Sequence, residues 1–292
     1  MIYVICGPTG SGKTNVANKI AEFLNAPIIN ADSFQIYKDM DIGTAKLDKN
    51  DPNYSRYHLL DVVTPEESFS VKEYQDFFRK ELNNLLKDYK DIVVCGGTGL
   101  YIKASLYDYH FAEFDDDTSD LEKMTNEELY KLLESLDPEA LKSIHINNKK
   151  RIIRAISIAR SSNQTKSETI NDQKHELIYK DVRFLMINPD REVLYKNINN
   201  RVDSMFEKGL ITEVKNLVKK YKLSTTSKQA IGYKEVLMFL NNEIELEECK
   251  EMIKQRSRNY AKRQWTFFNN QLPVEKYENG ESIIQEVLEN GK

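Results

Sequence analysis

With 292 residues, 40% hydrophobic and 30% charged, the chain has the make-up of a globular protein of about two domains, long enough to bury a core. No apolar run approaches the ~18 residues of a membrane span, and the N-terminal run reads as a strand, not a signal peptide, so the expected compartment is the cytoplasm. A net charge of −4 excludes a uniformly basic nucleic-acid binder; any such surface must be a local patch on an acidic body.

Ile2-Tyr3-Val4-Ile5-Cys6 is an apolar run of buried-strand type. Gly7-Pro8-Thr9-Gly10-Ser11-Gly12-Lys13-Thr14 follows it and completes the phosphate-loop pattern. Val16, Ala17, Ile20, Ala21 and Leu24 then recur at helical spacing. Strand, glycine loop and helix N-terminus make an anion cradle, because glycines let backbone N–H groups turn inward and the helix dipole favours negative charge. Lys13 is expected to reach the outer phosphate and Thr14 to hold Mg²⁺. A diphosphate or triphosphate is implied; the loop alone does not say which.

Ala26-Pro27-Ile28-Ile29-Asn30 reads as a second strand, followed by Asp32-Ser33-Phe34-Gln35-Ile36-Tyr37. An aspartate at a strand's C-terminal end can contact an acceptor, or it can form a turn or cap a helix. A helix is expected from about Ser70 to Tyr89, with Val71, Tyr74, Phe77, Phe78, Leu82, Leu85 and Leu86 facing inward. Ile92–Cys95 is a third strand, stopped by Gly96-Gly97; Thr98 then caps the next helix or hydrogen-bonds a substrate. A nucleotide hydrolase often carries an acidic metal partner at such a strand end. Glycines stand there, which weakens an ATPase reading. Strand and helix alternate, so the expected fold is a phosphate-loop α/β core: a parallel sheet covered on both faces, with ligands at the C-terminal rim.

Residues 112–178 break that alternation and read as a helical insertion in a core formed by 1–111 and 179–292. The stretch Glu113 to Asp120 is an acidic surface loop. Helices are expected at about Asn126–Leu136 and Lys149–Ala159, with a polar, mobile stretch from Ser161 to Lys174. Arg151 and Arg154 share a helical face, either as a solvated surface or as contacts to nucleotide or RNA phosphates. Val182–Ile187 rejoins the sheet. The remainder reads as helices: Arg191–Lys208 stopped by Gly209, then Ile211–Lys220, Lys228–Leu240 and Leu246–Phe268. On the last, Arg256, Arg258, Lys262 and Arg263 interleave with Tyr260, Trp265, Phe267 and Phe268. The aromatics read as core and the charges as candidates to track a nucleic-acid backbone. Cys6, Cys95 and Cys249 lack metal spacing and read as inert thiols, and the four histidines are scattered.

Together these segments resemble the tRNA dimethylallyltransferase, or tRNA isopentenyltransferase, family. The resemblance is carried by Gly7–Thr14, the run Asp32–Lys46, His58–Asp61, Gly96–Tyr101, Ile231–Glu235 and Tyr260–Gln264, in order along nearly the whole chain. It implies transfer of a dimethylallyl group from dimethylallyl diphosphate to N6 of the adenosine 3′ of the anticodon, in tRNAs reading codons that begin with U. The phosphate loop, Gly7, Pro8, Thr9, Gly10, Ser11, Gly12, Lys13 and Thr14, would then bind an isoprenoid diphosphate instead of ATP. By position, Asp32 matches the family's general base and Thr98 a threonine beside the reaction channel. Ser33, Phe34 and Gln35 match contacts to the target adenine, and Arg201 an arginine reaching the diphosphate. Lys150, Arg151, Ile152, Ile153 and Arg154 match a tRNA-meeting segment, to which Arg256, Lys262 and Arg263 add candidates from the core. A small-molecule kinase and a nucleotide-gated RNA-binding protein are the alternatives. A monomer is expected, since one chain supplies core and insertion.

Overall fold

In this computed structural model, residues 1–112, 117–161, 165–171 and 173–290 are described. Two compact units emerge, one of Met1–Leu106 with Tyr179–Lys292 and one of Tyr107–Ile178. The boundary falls earlier than residue 112 because Tyr107 pairs antiparallel with Leu177, and Asp108 N–H donates to the Glu176 carbonyl at 2.9 Å. Both partners of that pairing belong to the smaller unit.

In chain order the larger unit opens with β1 (Ile2–Cys6), α1 (Lys13–Leu24), β2 (Ile28–Asn30), β3 (Tyr57–His58), α2 (Val71–Asp88), β4 (Ile92–Cys95) and α3 (Gly99–Leu106). The smaller unit holds α4 (Ser119–Glu122), α5 (Asn126–Leu136), α6 (Lys149–Ser161) and α7 (Lys166–Asn171). The larger unit resumes with β5 (Val182–Ile187), α8 (Arg191–Glu207), α9 (Leu210–Lys220), α10 (Tyr233–Leu240), α11 (Leu246–Gln271), β6 (Glu275–Tyr277) and α12 (Gly280–Asn290).

All six strands are parallel, in the order β3-β2-β4-β1-β5-β6. The central strands are β-branched runs buried along their whole length, as a sheet covered on both faces requires. Ile5 is in register with both Cys95 and Leu185, so the loops after β1, β4 and β5 leave the sheet at one rim. Against one face, Val16, Ala17 and Ile20 of α1 pack with Ile283, Ile284 and Val287 of α12. Among the described residues no helix is long and apolar enough to cross a membrane.

Several expectations are corrected. On α2, Phe77 and Leu86 are exposed. Gln75 takes the inner face instead, because its Nε2 donates to the Ala104 carbonyl at 2.7 Å and so is satisfied when buried. The expected Lys228–Leu240 helix is two elements. A short 3₁₀ turn, Ser227–Gln229, ends before Gly232, whose φ of 98° breaks the helix. The C-terminus is not all helical: β6 adds an edge strand that its polar sequence conceals, tied to β5 by Arg183 and Glu275 at 2.6 Å. The polar stretch from Ser161 to Lys174 contains α7, its other residues lying partly outside the described ones, as do residues 113–116 of the acidic loop.

The smaller unit closes on its own core of Leu121, Leu129, Leu133, Ala140, Ile144, Ile152, Ala155 and Ile156. A capping box of Thr125 and Glu128 starts α5.

Candidate active site

The phosphate loop joins β1 to α1. Gly10 and Gly12 have φ of 82° and 88°, a region that side-chain-bearing residues avoid. A Cβ on Gly10 would also press to 2.8 Å from Ile198 of α8. Lys13 begins α1, and its Nζ donates to the Pro8 carbonyl at 2.8 Å. Burial, helped by the charge of Arg201, lowers the Lys13 pKa to about 8. Ser11 Oγ is buried without a hydrogen-bond partner, a polar group waiting for an acceptor or donor in the loop. Thr14 lies in the first turn of α1.

Arg201 reaches this loop from α8. Its Nη1 donates to Thr9 Oγ1 and its Nη2 to the Thr44 carbonyl, both at 3.2 Å. Burial pushes its pKa downward, opposed by Asp32. The turn that leads into Thr44 is held in place by a carboxylate that the sequence did not single out. Glu213 of α9 accepts the backbone N–H groups of Asp41, Ile42 and Gly43 at 3.1, 2.7 and 3.2 Å, and the Tyr233 hydroxyl at 2.6 Å. Glu213 therefore fixes the loop on which Arg201 rests.

Asp32 follows β2. Its Oδ1 accepts the Phe34 N–H at 2.9 Å, closing an Asx turn. Its Oδ2 takes no hydrogen bond among the described residues, so one carboxylate oxygen shapes the turn and the other is free. Thr98 gives its backbone to the start of α3, with Ile102 N–H donating to its carbonyl at 3.2 Å. Its hydroxyl does not cap the helix. It accepts the Ser33 N–H at 3.1 Å and donates toward Ser33 Oγ at 3.3 Å, joining the two strand-end loops. Gln35 donates from Nε2 to the Thr44 and Ala45 carbonyls at 3.1 and 3.3 Å.

Two further residues complete the site. Gln264 of α11 is 5% exposed. Its Oε1 accepts the Thr9 N–H at 2.8 Å and its Nε2 donates to the Gly97 carbonyl at 2.9 Å, clamping the phosphate loop to the β4 turn. A Cβ on Gly97 would collide with that amide, which is why glycine stands there. One turn earlier, the Tyr260 hydroxyl lies by Thr98 and Gln264, and burial raises its pKa to about 12. The signal for both was present in the sequence. Tyr260 and Gln264 are four residues apart and face one way, while Lys262 and Arg263 between them are exposed.

Two cavities meet at this point. One of about 400 Å³ runs along the phosphate loop past Lys13 and Thr14. One of about 200 Å³ is lined by Phe34 and by apolar residues including Ile198, Met205 and Ile253. Thr9, Asp32, Arg201 and Tyr260 line both. The arrangement suits a displacement reaction: an anionic leaving group held in the first cavity, a nucleophile presented from the second, and a free carboxylate oxygen between them.

The other candidate residues fall into distinct settings. Ile152 is fully buried in the core of the smaller unit, so its side chain offers nothing to RNA and instead anchors α6. Lys150 and Arg151 are exposed on that helix, while Ile153 and Arg154 are half-buried and Arg154 is engaged within the protein. Arg256 pairs with Glu235, which is wholly buried and also accepts the Gly232 N–H at 2.7 Å. Its charge is occupied in fixing that turn. Arg263 lies 5.6 Å from the Tyr260 ring centre. Phe268 is buried as expected, whereas Trp265 is 48% exposed and does not belong to the core.

A parallel sheet with a phosphate loop between its first strand and first helix places the fold in the phosphate-loop α/β class. The "IPP transferase" family matches residues 35–271. The tRNA dimethylallyltransferase of Bacillus licheniformis is 45% identical over 280 residues, covering 94% of this chain and 89% of that protein. The one from Anoxybacillus flavithermus is 41% identical over 288 residues, 98% and 92% of the two chains. A crystal structure of a tRNA isopentenylpyrophosphate transferase from Bacillus halodurans superposes with a TM-score of 0.73 at 34% identity, covering 99% of this chain and 94% of that one. A eukaryotic dimethylallyltransferase captured acting on tRNA gives 0.82 at 27% identity, over 96% and 74%. The chain belongs to the tRNA dimethylallyltransferase family.

Proposed function

We propose that this protein transfers the dimethylallyl group of dimethylallyl diphosphate to N6 of the adenosine 3′ of the anticodon, in tRNAs that read codons beginning with U. The observation that carries the reading is Asp32, with a free oxygen where the phosphate-loop cavity meets the second cavity.

In this reading the diphosphate lies along the loop N–H groups, with Lys13, Arg201 and the unpartnered Ser11 hydroxyl around it. Adenine N6 is a weak nucleophile because its lone pair is conjugated with the ring. As the N6–C1 bond forms and the C1–O bond breaks, the N6 proton passes to Asp32, and pyrophosphate leaves with the bonding pair. Lys13 and Arg201 stabilise the negative charge that grows on it. A base stacked in a loop cannot reach a carbon at this depth, so the adenine enters flipped, from the second cavity.

Mg²⁺ is proposed at Thr14, which lines the phosphate-loop cavity. Among the described residues no cluster of three His, Cys, Asp or Glu could hold a metal, so the ion would rest on Thr14 and on the diphosphate's own oxygens. Bound there, it would supply further charge neutralisation to the leaving group. Lys150 and Arg151 on the smaller unit, and Lys262 and Arg263 on the larger, are the proposed contacts to the anticodon stem-loop of a monomeric, cytoplasmic enzyme.

The test is the mass of tRNA nucleosides after incubation with protein and dimethylallyl diphosphate. One adenosine should gain a dimethylallyl group in place of a proton. Unmodified tRNA, together with label transferred from γ-labelled ATP to a small acceptor, would assign the site to a kinase.

A further inference from the structure

A cavity of about 500 Å³ outside the site lies between the start of α8 and α11. Leu194 and Ala261 line it, and both belong to the cluster that packs α8 on α11. Trp265 lines it too, roughly half exposed, with its indole N–H donating to Asn188 Oδ1. That bond fixes the ring, so the exposed indole is a rigid plate and not a loose side chain. Tyr195 stands among the lining residues with its hydroxyl buried and without a partner. Arg191 lies 5.2 Å from the Tyr195 ring centre, and Lys262 completes the rim. No carboxylate is among the lining residues. Of the two acids flanking Arg191 in sequence, Asp190 is turned to the helix, accepting the Glu192 N–H at 2.7 Å, and Glu192 is exposed but does not line the cavity.

An indole held by a hydrogen bond, a second aromatic ring with an unused hydroxyl, and two cations with no ion pair among the described residues suit a ligand with a flat face, polar edges and an anion. A peptide side chain supplies one or two of these features; an unstacked nucleotide supplies all three. We infer that this groove takes one unpaired nucleotide of the RNA substrate, its base against Trp265 and its phosphate on Lys262 and Arg191. The inference rests on the tRNA reading above. The base would stack without sequence preference, since every base has a π-face, and the Tyr195 hydroxyl would offer one polar contact to a base edge. The groove would hold the loop by a nucleotide other than the reacting adenosine, which must lie at Asp32.

The chain has one tryptophan, so its fluorescence reports this groove alone. The full-length protein is titrated with an unmodified tRNA transcript that accepts the prenyl group. Trp emission should be quenched in step with binding. Trp265→Leu should weaken tRNA binding roughly tenfold, the worth of one stacked base, with the donor KM unchanged. Trp265→Phe should recover most of that loss, since a ring is restored. Trp265 is exposed, and an unchanged donor KM serves as the check on fold. Unquenched emission in a complex that still transfers the prenyl group, together with wild-type affinity in Trp265→Leu, would overturn the inference and leave the tRNA reading intact. Quenching by free ATP but not by tRNA would also overturn it, as would self-association that Trp265→Leu abolishes while tRNA affinity holds. Failure of the tRNA reading itself appears separately, as the absence of transfer by the unaltered protein.

Discussion

The two walls of the site are built by opposite means. The diphosphate wall is one stretch, Gly7–Thr14, shaped by its own left-handed glycines and the helix that follows. The proposed acceptor wall is assembled from Asp32, Thr98 and Tyr260, which β2, β4 and α11 carry to one place, and Gln264 of α11 clamps the phosphate loop beside it. A contiguous wall takes its shape from local backbone; a dispersed one depends on cross-links such as Thr98 to Ser33 and Gln264 to Thr9. The two walls should therefore fail differently when a single residue is changed.

The largest effect is expected at the acceptor wall. Asp32→Ala should lower kcat by about two to four powers of ten, the usual worth of a general base. The donor KM should change far less, because the carboxylate lines the phosphate-loop cavity but offers the diphosphate no hydrogen-bond donor. Steady-state kinetics at saturating tRNA separates the two quantities. Near-wild-type kcat would remove Asp32 from the reaction.

Gln264 tests whether the walls are mechanically joined. Gln264→Ala strands two polar groups, Thr9 N–H and Gly97 C=O, at a cost of about 1–3 kcal/mol for each that finds no water. The expected outcome is a fall in Tm with a comparable change in both donor KM and kcat, unlike Asp32→Ala, whose effect falls chiefly on kcat. A lower Tm with unchanged kinetics would show that the clamp holds the fold and not the geometry of transfer.

This contrast also explains what could be seen in the sequence. The phosphate loop, the central strands and α5 were legible because each is a local pattern: a glycine spacing, a β-branched run, an amphipathic period. Asp32 was legible as a choice between turn former and base, and its two oxygens allow both. Glu213 was not legible, because nothing near it in the chain shows that three N–H groups from residues 41–43 will converge on it. The setting of Lys46 was not legible either: it is buried with Tyr37 C=O, Asp41 and Asp61 each at 2.7 Å. Trp265 was misplaced because an aromatic on a long helix reads as core until its face is known. The strand β6 was concealed because an edge strand needs no apolar run.

A smaller effect sharpens the diphosphate wall. The Lys13 pKa lies near 8 in the free protein because burial disfavours the ammonium. The cation is present below that pH and lost above it, so donor affinity should weaken as pH rises through about 8. Stability should move the other way. Between about pH 8 and 10.5 the unfolded chain binds the Lys13 proton that the folded chain has released, so this group makes the fold more stable as pH rises. Donor affinity and Tm measured across the same series should diverge for the wild type. In Lys13→Met the donor affinity should already be low and its pH dependence flat. Parallel curves in the two proteins would place the titrating group elsewhere.

The smallest effect concerns RNA, and there the comparison is among arginines and lysines that look alike in sequence. Arg151 and Lys262 are exposed, whereas Arg256 is spent on a buried carboxylate. Each phosphate contact releases counterions, so Arg151→Ala or Lys262→Ala should flatten the log–log dependence of tRNA affinity on salt by roughly 0.7–0.9. Donor binding should be unchanged in both, because neither residue lines the phosphate-loop cavity. Arg256→Ala should instead leave Glu235 buried and unpaired. Its cost should be roughly 2 kcal/mol of stability, below the ~3–5 of a fully buried pair because Arg256 is itself about a third exposed. Its salt slope should match the wild type. A flattened slope in Arg256→Ala, with wild-type slopes in the other two, would invert the assignment and show that the ion pair opens to meet RNA.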